Sequence, residues 1–244
     1  MSHCDILGFK IEVGDKDSLL EKSFDLVGNG GIICTPNPLI LSEAVENASL
    51  RRALLSADLC IPDGIGLLPY LRKKQRNAEV LPGVELGQAL AGRVESIGLV
   101  GGREGIALRA FSHLKSKNPS LSPAFLLSGY ETPLSVLLSA LSRTKPALCL
   151  VCLGSPRQEL LMQSLRLYSP KTVFLGLGGS LDVYAGAVRR APHPFRVMHL
   201  EWLYRMLCEP HRLRALPRLL SFPILCAKHR QKNYNLTKKA SASV

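Results

Sequence analysis

The stretch LCIPDGIGL, residues 59–67, is an apolar run that ends on one carboxylate, Asp63, with Pro62 before it and Gly64 and Gly66 after it. No basic residue stands beside Asp63 in the sequence. Such a carboxylate can take a proton from a hydroxyl within hydrogen-bond reach, or it can be an ordinary turn aspartate. Other polar or small residues stand at the ends of other apolar runs. Thr35 and Asn37 follow GGIIC, Gly101 and Gly102 close ESIGLVGG, and Gln158 and Glu159 follow ALCLVCLGSP. Glycine at such ends lets backbone approach a ligand closely. A helix N-terminus just beyond offers free N–H groups to phosphate. Several such ends together point to a nucleotide or nucleotide-sugar pocket. Each also has a plainer reading: glycines that only turn the chain, Thr35 or Asn37 as a helix cap, and first-turn residues favoured by the helix dipole.

The elements that must position these residues follow from periodicity. Six short apolar runs read as strands: GGIICTPN, DLCIPDG, ESIGLVGG, SPAFLLSGY, ALCLVCLGSP and KTVFLGLGG. Helical patterns separate most of them, including PLILSEAVENASLRRALLSA, read as one helix, REGIALRAFSHLKSKNP and RQELLMQSLRLYSP. Continuous apolar strands alternating with helices predict an α/β fold. It should have a mostly parallel, Rossmann-like sheet with helices on both faces. Ligands of such sheets bind outside the carboxyl ends of the strands, where the candidate residues lie.

The charge is uneven. The chain has 244 residues and a formal net charge of +12. Residues 187–244 hold twelve Lys or Arg against two Glu, a surplus of ten, while residues 1–186 hold nineteen basic and seventeen acidic residues. The sequence therefore divides into a nearly neutral α/β core, 1–186, and a basic, proline-interrupted helical appendage, 187–244. The appendage suits an anionic partner such as phosphate, nucleic acid or an anionic membrane surface. Its LPRLLSFPILCAKHRQK mixes apolar and basic residues as an interfacial segment does. The seven cysteines read as reduced, small apolar residues, and CLVC as strand rather than a zinc or redox motif. No signal peptide and no apolar run long enough to span a membrane is evident. A dinucleotide oxidoreductase lacks its spaced glycine fingerprint here. A nucleic-acid-binding protein lacks a recognised module or a series of stacking aromatics.

Seven blocks together resemble one family. TPNP, SADLCIPDGIGL, LPGVEL, IGLVGGREGIALRA, LGSPRQE, GLGGSLDVYAGAVRRAP and LEWLYRMLCEPHRLR occur in the order and at about the spacing of the WecG/TagA/CpsF glycosyltransferases, glycosyltransferase family 26. The resemblance covers nearly the whole chain. It implies an inverting transferase, with no cofactor or metal, working at the inner face of the cytoplasmic membrane. The enzyme would move an N-acetylmannosamine or N-acetylmannosaminuronic acid unit from a UDP-sugar to N-acetylglucosamine on a polyprenyl diphosphate. By the same resemblance Asp63 is the catalytic base, and Thr35, Asn37 and Gln158 line the pocket. Gly101 and Gly102 adjoin the uridine diphosphate. Arg212 and Arg214, with Arg205 and Arg218 as further candidates, meet a diphosphate. It further implies self-association, a peripheral membrane contact and no nucleic-acid partner. One departure stands out. The family carries an arginine just before the PG turn of LPGVEL, where this chain reads NAEVLPG, with Glu79 and Val80. The cationic contact is then absent, or it comes from Arg76 or an appendage arginine.

Overall fold

The computed structural model describes residues 3–192, 194, 195, 198, 201–208 and 210–241, and their side chains except those of 205, 210–212 and 232–241. The chain opens with an antiparallel hairpin, β1 (His3–Ile6) and β2 (Phe9–Glu12). A six-stranded sheet follows: β3 (Gly31–Cys34), β4 (Leu59–Cys60), β5 (Ser96–Gly101), β6 (Ser122–Leu127), β7 (Leu148–Cys152) and β8 (Val173–Gly176). Its order is β4-β3-β8-β7-β5-β6, and every pair is parallel. The six predicted strands are these six. The hairpin is an addition that the sequence reading did not contain.

Strand periodicity explains the two-sided core. Successive side chains point to opposite faces, so a strand covered on both must be apolar throughout. In β3, β7 and β8 every residue is buried. Ile32, Cys34, Val151 and Phe174 face one cluster, with Leu41, Leu50, Met162 and Leu165 from the helices and Ile6, Phe9 and Ile11 from the hairpin. Ile33, Leu99, Leu150 and Leu175 face the other, with Leu19, Leu86, Leu90 and Leu114. The edge strand β6 is half exposed and carries Pro123, a residue tolerated where the ladder ends.

The helices fall between these strands and after the last: α1 (Lys16–Phe24), α2 (Pro38–Glu46), α3 (Ala48–Leu55), α4 (Leu68–Leu71), α5 (Gly83–Ala91), α6 (Ile106–Lys117), α7 (Leu134–Thr144), α8 (Arg157–Arg166) and α9 (Ser180–Tyr184). The segment read as one helix is two. Asn47 ends α2, and its side chain then accepts from the backbone N–H groups of Ser49 and Leu50 to begin α3. An asparagine that can cap offers the chain a stop and a fresh start inside an apolar-periodic stretch.

Beyond α9 come a helix Glu201–Cys208, a 3-10 turn Pro210–Ala215 and a C-terminal helix Leu216–Ser241 that contains Pro223. The C-terminal helix packs on α2. Its anchor is Phe222, 2% exposed within the first core cluster and edge-on to Tyr70, with ring centroids 5.7 Å apart. All seven cysteines are free thiols, and burial pushes Cys152 on β7 up to about 12. No helix among the described residues is long and apolar enough to cross a membrane.

Candidate active site

Three loops meet at the carboxyl ends of β3, β4 and β8, and hydrogen bonds stitch them together. After β3, the Thr35 hydroxyl donates to Gly176 O at 2.8 Å, joining the ends of β3 and β8. Asp63 N donates to Pro36 O at 3.0 Å, and Leu81 N donates to Pro62 O at 3.0 Å. The Asp63 turn is thus held between the loop after β3 and the loop entering α5. Gly64 follows at φ +89°, a conformation that a side chain would strain, which is why the chain turns there on glycine. Asp63 itself is half-buried.

These loops form one side of a cavity of about 520 Å³. Asn37, Asp63, Gly64 and Val80 line it from the sheet side, and Lys16, Glu85 and Arg190 stand at it as a charged group. The other wall is apolar and comes from the C-terminal segment, through Trp202, Met206, Leu219, Leu220, Phe222 and Pro223. A carboxylate therefore faces a space bounded by polar loops on one side and hydrocarbon on the other.

The expected site residues whose side chains are described have definite places. Asp63 and Asn37 share the cavity. Asn37 caps α2, its Oδ1 accepting from Leu39 N and Ile40 N at 3.0 and 3.1 Å, which leaves its Nδ2 group as the part able to donate to a ligand. Thr35 and Gln158 are buried behind the lining. Gln158 Oε1 accepts from Gly178 N at 2.8 Å, and its Nε2 donates to Glu159 Oε1 at 2.9 Å. Gln158 thereby fixes the loop whose Leu177 and Ser180 line the cavity. Gly101 and Gly102 lie at the end of β5, outside that lining. A Cβ on Gly101, at φ +149°, would meet Cys152 O at 2.4 Å, so tight strand packing alone requires glycine there. Arg214 is exposed and also outside the lining. Arg218 pairs with Glu46 at 3.5 Å and Glu43 at 4.0 Å on α2. The side chains of Arg205 and Arg212 lie outside the described residues.

Several lining residues were not anticipated. Lys16 Nζ donates to Glu85 Oε2 at 3.1 Å, and Arg190 Nη2 donates to Glu85 Oε1 at 2.7 Å. Burial pushes the Glu85 carboxyl up, but the bonds from Arg190 and Lys16 more than offset it and hold the group below the usual carboxylate range. Glu85 and Arg190 both fall inside motif blocks of the sequence, but a pairing across 105 residues leaves no trace in local pattern. The wall formed by Trp202, Met206 and Phe222 was equally hidden.

The sequence matches the WecG/TagA/CpsF glycosyl transferase family over residues 4–236. The chain belongs to that family. It is similar to two curated N-acetylglucosaminyldiphosphoundecaprenol N-acetyl-beta-D-mannosaminyltransferases. The one from Bacillus subtilis (strain 168) is 32% identical over 209 residues, covering 84% of this chain and 80% of the relative. The one from Bacillus spizizenii is 32% identical over 211 residues, covering 84% and 81%. As a member of this glycosyltransferase family, the chain is a hexosyl-transferring enzyme.

Proposed function

We propose that the chain is an inverting glycosyltransferase that moves N-acetylmannosamine or N-acetylmannosaminuronic acid from a UDP-sugar to N-acetylglucosamine on a polyprenyl diphosphate. The observation that carries this reading is Asp63 on the wall of a cavity at the carboxyl end of the sheet, in a chain similar to two mannosaminyltransferases. Inversion is a single in-line displacement. The acceptor hydroxyl oxygen attacks the anomeric carbon, UDP departs from the opposite face, and Asp63 takes the hydroxyl proton, so one base suffices. Asn37 Nδ2 donates to the sugar. Thr35 and Gln158 act from behind, holding the loops at Gly176 and Gly178. Gly101 and Gly102 border the nucleotide, and the family resemblance assigns Arg212 and Arg214 to a diphosphate.

In this reading residues 1–186 form the donor-binding core and residues 187–244 the acceptor and membrane appendage. The apolar wall of the cavity suits a lipid-linked acceptor. Exposed Leu213, Leu220 and Ile224, near Lys228 and Arg230, suit an anionic bilayer at the inner face of the cytoplasmic membrane. A panel of UDP-sugars tested against a short-chain N-acetylglucosamine diphospholipid checks the proposal. Transfer from UDP-N-acetylmannosamine or its uronic acid, with inversion at the anomeric carbon, is expected. Transfer confined to a different hexose, or retention of configuration, would overturn it.

A further inference from the structure

The cavity holds a second charged group that proton removal by Asp63 does not use. One carboxylate, Glu85 in the first turn of α5, is shared by two cations from remote parts of the chain. Lys16 comes from the start of α1, and Arg190 from the segment after α9. Among the described lining residues these two are the only cations, against the carboxylates Asp63, Glu85 and Glu201. An anionic group admitted to this space therefore has Lys16 and Arg190 to meet it. Both keep donors in hand, since an ammonium has three N–H groups and a guanidinium five. Arg190 Nε is buried and makes no hydrogen bond among the described residues, and it is ion-paired with Glu201 Oε2 at 3.8 Å. That ion pair leaves the guanidinium hydrogen-bonding capacity that an arriving acceptor can use. The same cavity wall carries Val80, just ahead of the Pro82–Gly83 turn, where the family resemblance leads one to expect arginine nearby. Arg76 is exposed and does not line the cavity.

We propose that Lys16 and Arg190, aligned by Glu85, form the diphosphate-recognition site of the Asp63 cavity, taking over the contact that the loop before Pro82 lacks. The inference rests on the transferase reading given above. A planar guanidinium suits two phosphate oxygens at once, and the ammonium adds a compact charge beside it. The diphosphate can belong to the UDP donor or to the lipid acceptor, and the ligand chosen for titration tells them apart. Arg190 also stands between Glu85 of the core and Glu201 of the Glu201–Cys208 helix, so a purely structural tie is the competing account.

Calorimetric titration of wild type, Arg190→Gln and Lys16→Gln with UDP, with uridine and with a short-chain N-acetylglucosamine diphospholipid separates the two accounts, alongside a melting curve for each protein. The Lys16 side chain is 39% exposed, so its replacement keeps the test available if Arg190→Gln folds poorly. The expected result is that affinity for UDP or for the diphospholipid falls by about tenfold or more, roughly 1.4 kcal/mol. Affinity for uridine should stay unchanged. Unchanged affinity for both diphosphates in both variants would overturn the site, as would an equal loss for uridine. Wild-type protein that binds neither diphosphate would overturn the transferase reading itself.

Discussion

Glu159, in the first turn of α8, is 2% exposed, and its Oε2 makes no hydrogen bond among the described residues. Burial raises its carboxyl above the usual range, against the opposing bond from the Gln158 amide. The folded chain therefore keeps a proton that the unfolded chain releases as pH rises through about 4.3, the ordinary glutamate value. Stability falls with rising pH over that interval, and the loss stops once the folded group ionises as well. Glu159→Gln removes the titration. Its melting temperature should exceed that of wild type by a margin that grows from pH 4 to pH 7, as read by calorimetric scans at both ends; a margin that shrinks with pH would refute the buried neutral acid. At this scale the sequence was informative where chemistry coincides with position. Asp63 stands out because a strand's carboxyl end is where such a sheet meets ligands, and the fold puts it on the cavity wall. The Lys16–Glu85–Arg190 group was illegible because each member looks like an ordinary surface charge until the chain closes.

At the scale of elements, the six parallel strands were legible because burial on both faces demands unbroken apolar runs. The hairpin was not. Its turn is Leu7-Gly8, with both residues at positive φ (58° and 85°), and leucine is not a residue that announces such a turn. The break between α2 and α3 was missed because the apolar period continues across Asn47 and only its capping bonds reveal the stop. The C-terminal helix depends on Phe222, which is both core residue and cavity wall. Phe222→Ala should cost about 3 kcal/mol or more of that packing. The loss should appear as faster hydrogen exchange in residues 216–231 and a weaker affinity for the diphospholipid. Unaltered exchange in that helix would mean Phe222 does not anchor it.

For the whole molecule, the sheet order β4-β3-β8-β7-β5-β6 could not be read from the chain, because parallel strands need long crossovers that leave many orders open. That order puts β8 beside β3 and so brings Gly176 to Thr35 and the loop after β8 to the cavity. The uneven charge was legible, yet its arrangement was not: the C-terminal segment gives the cavity an apolar wall and leaves Leu220 and Ile224 exposed beside basic residues. Replacing both by Glu should abolish co-sedimentation with anionic liposomes while leaving the melting temperature within about 2 °C. Undiminished sedimentation would place the membrane contact elsewhere.

The most direct test of the account is turnover of Asp63→Asn with a UDP-sugar and a short-chain diphospholipid acceptor, measured beside UDP affinity. A base at Asp63 predicts turnover at least about a hundredfold below wild type with UDP affinity retained. Turnover within about threefold of wild type, roughly 0.65 kcal/mol of barrier, would contradict it.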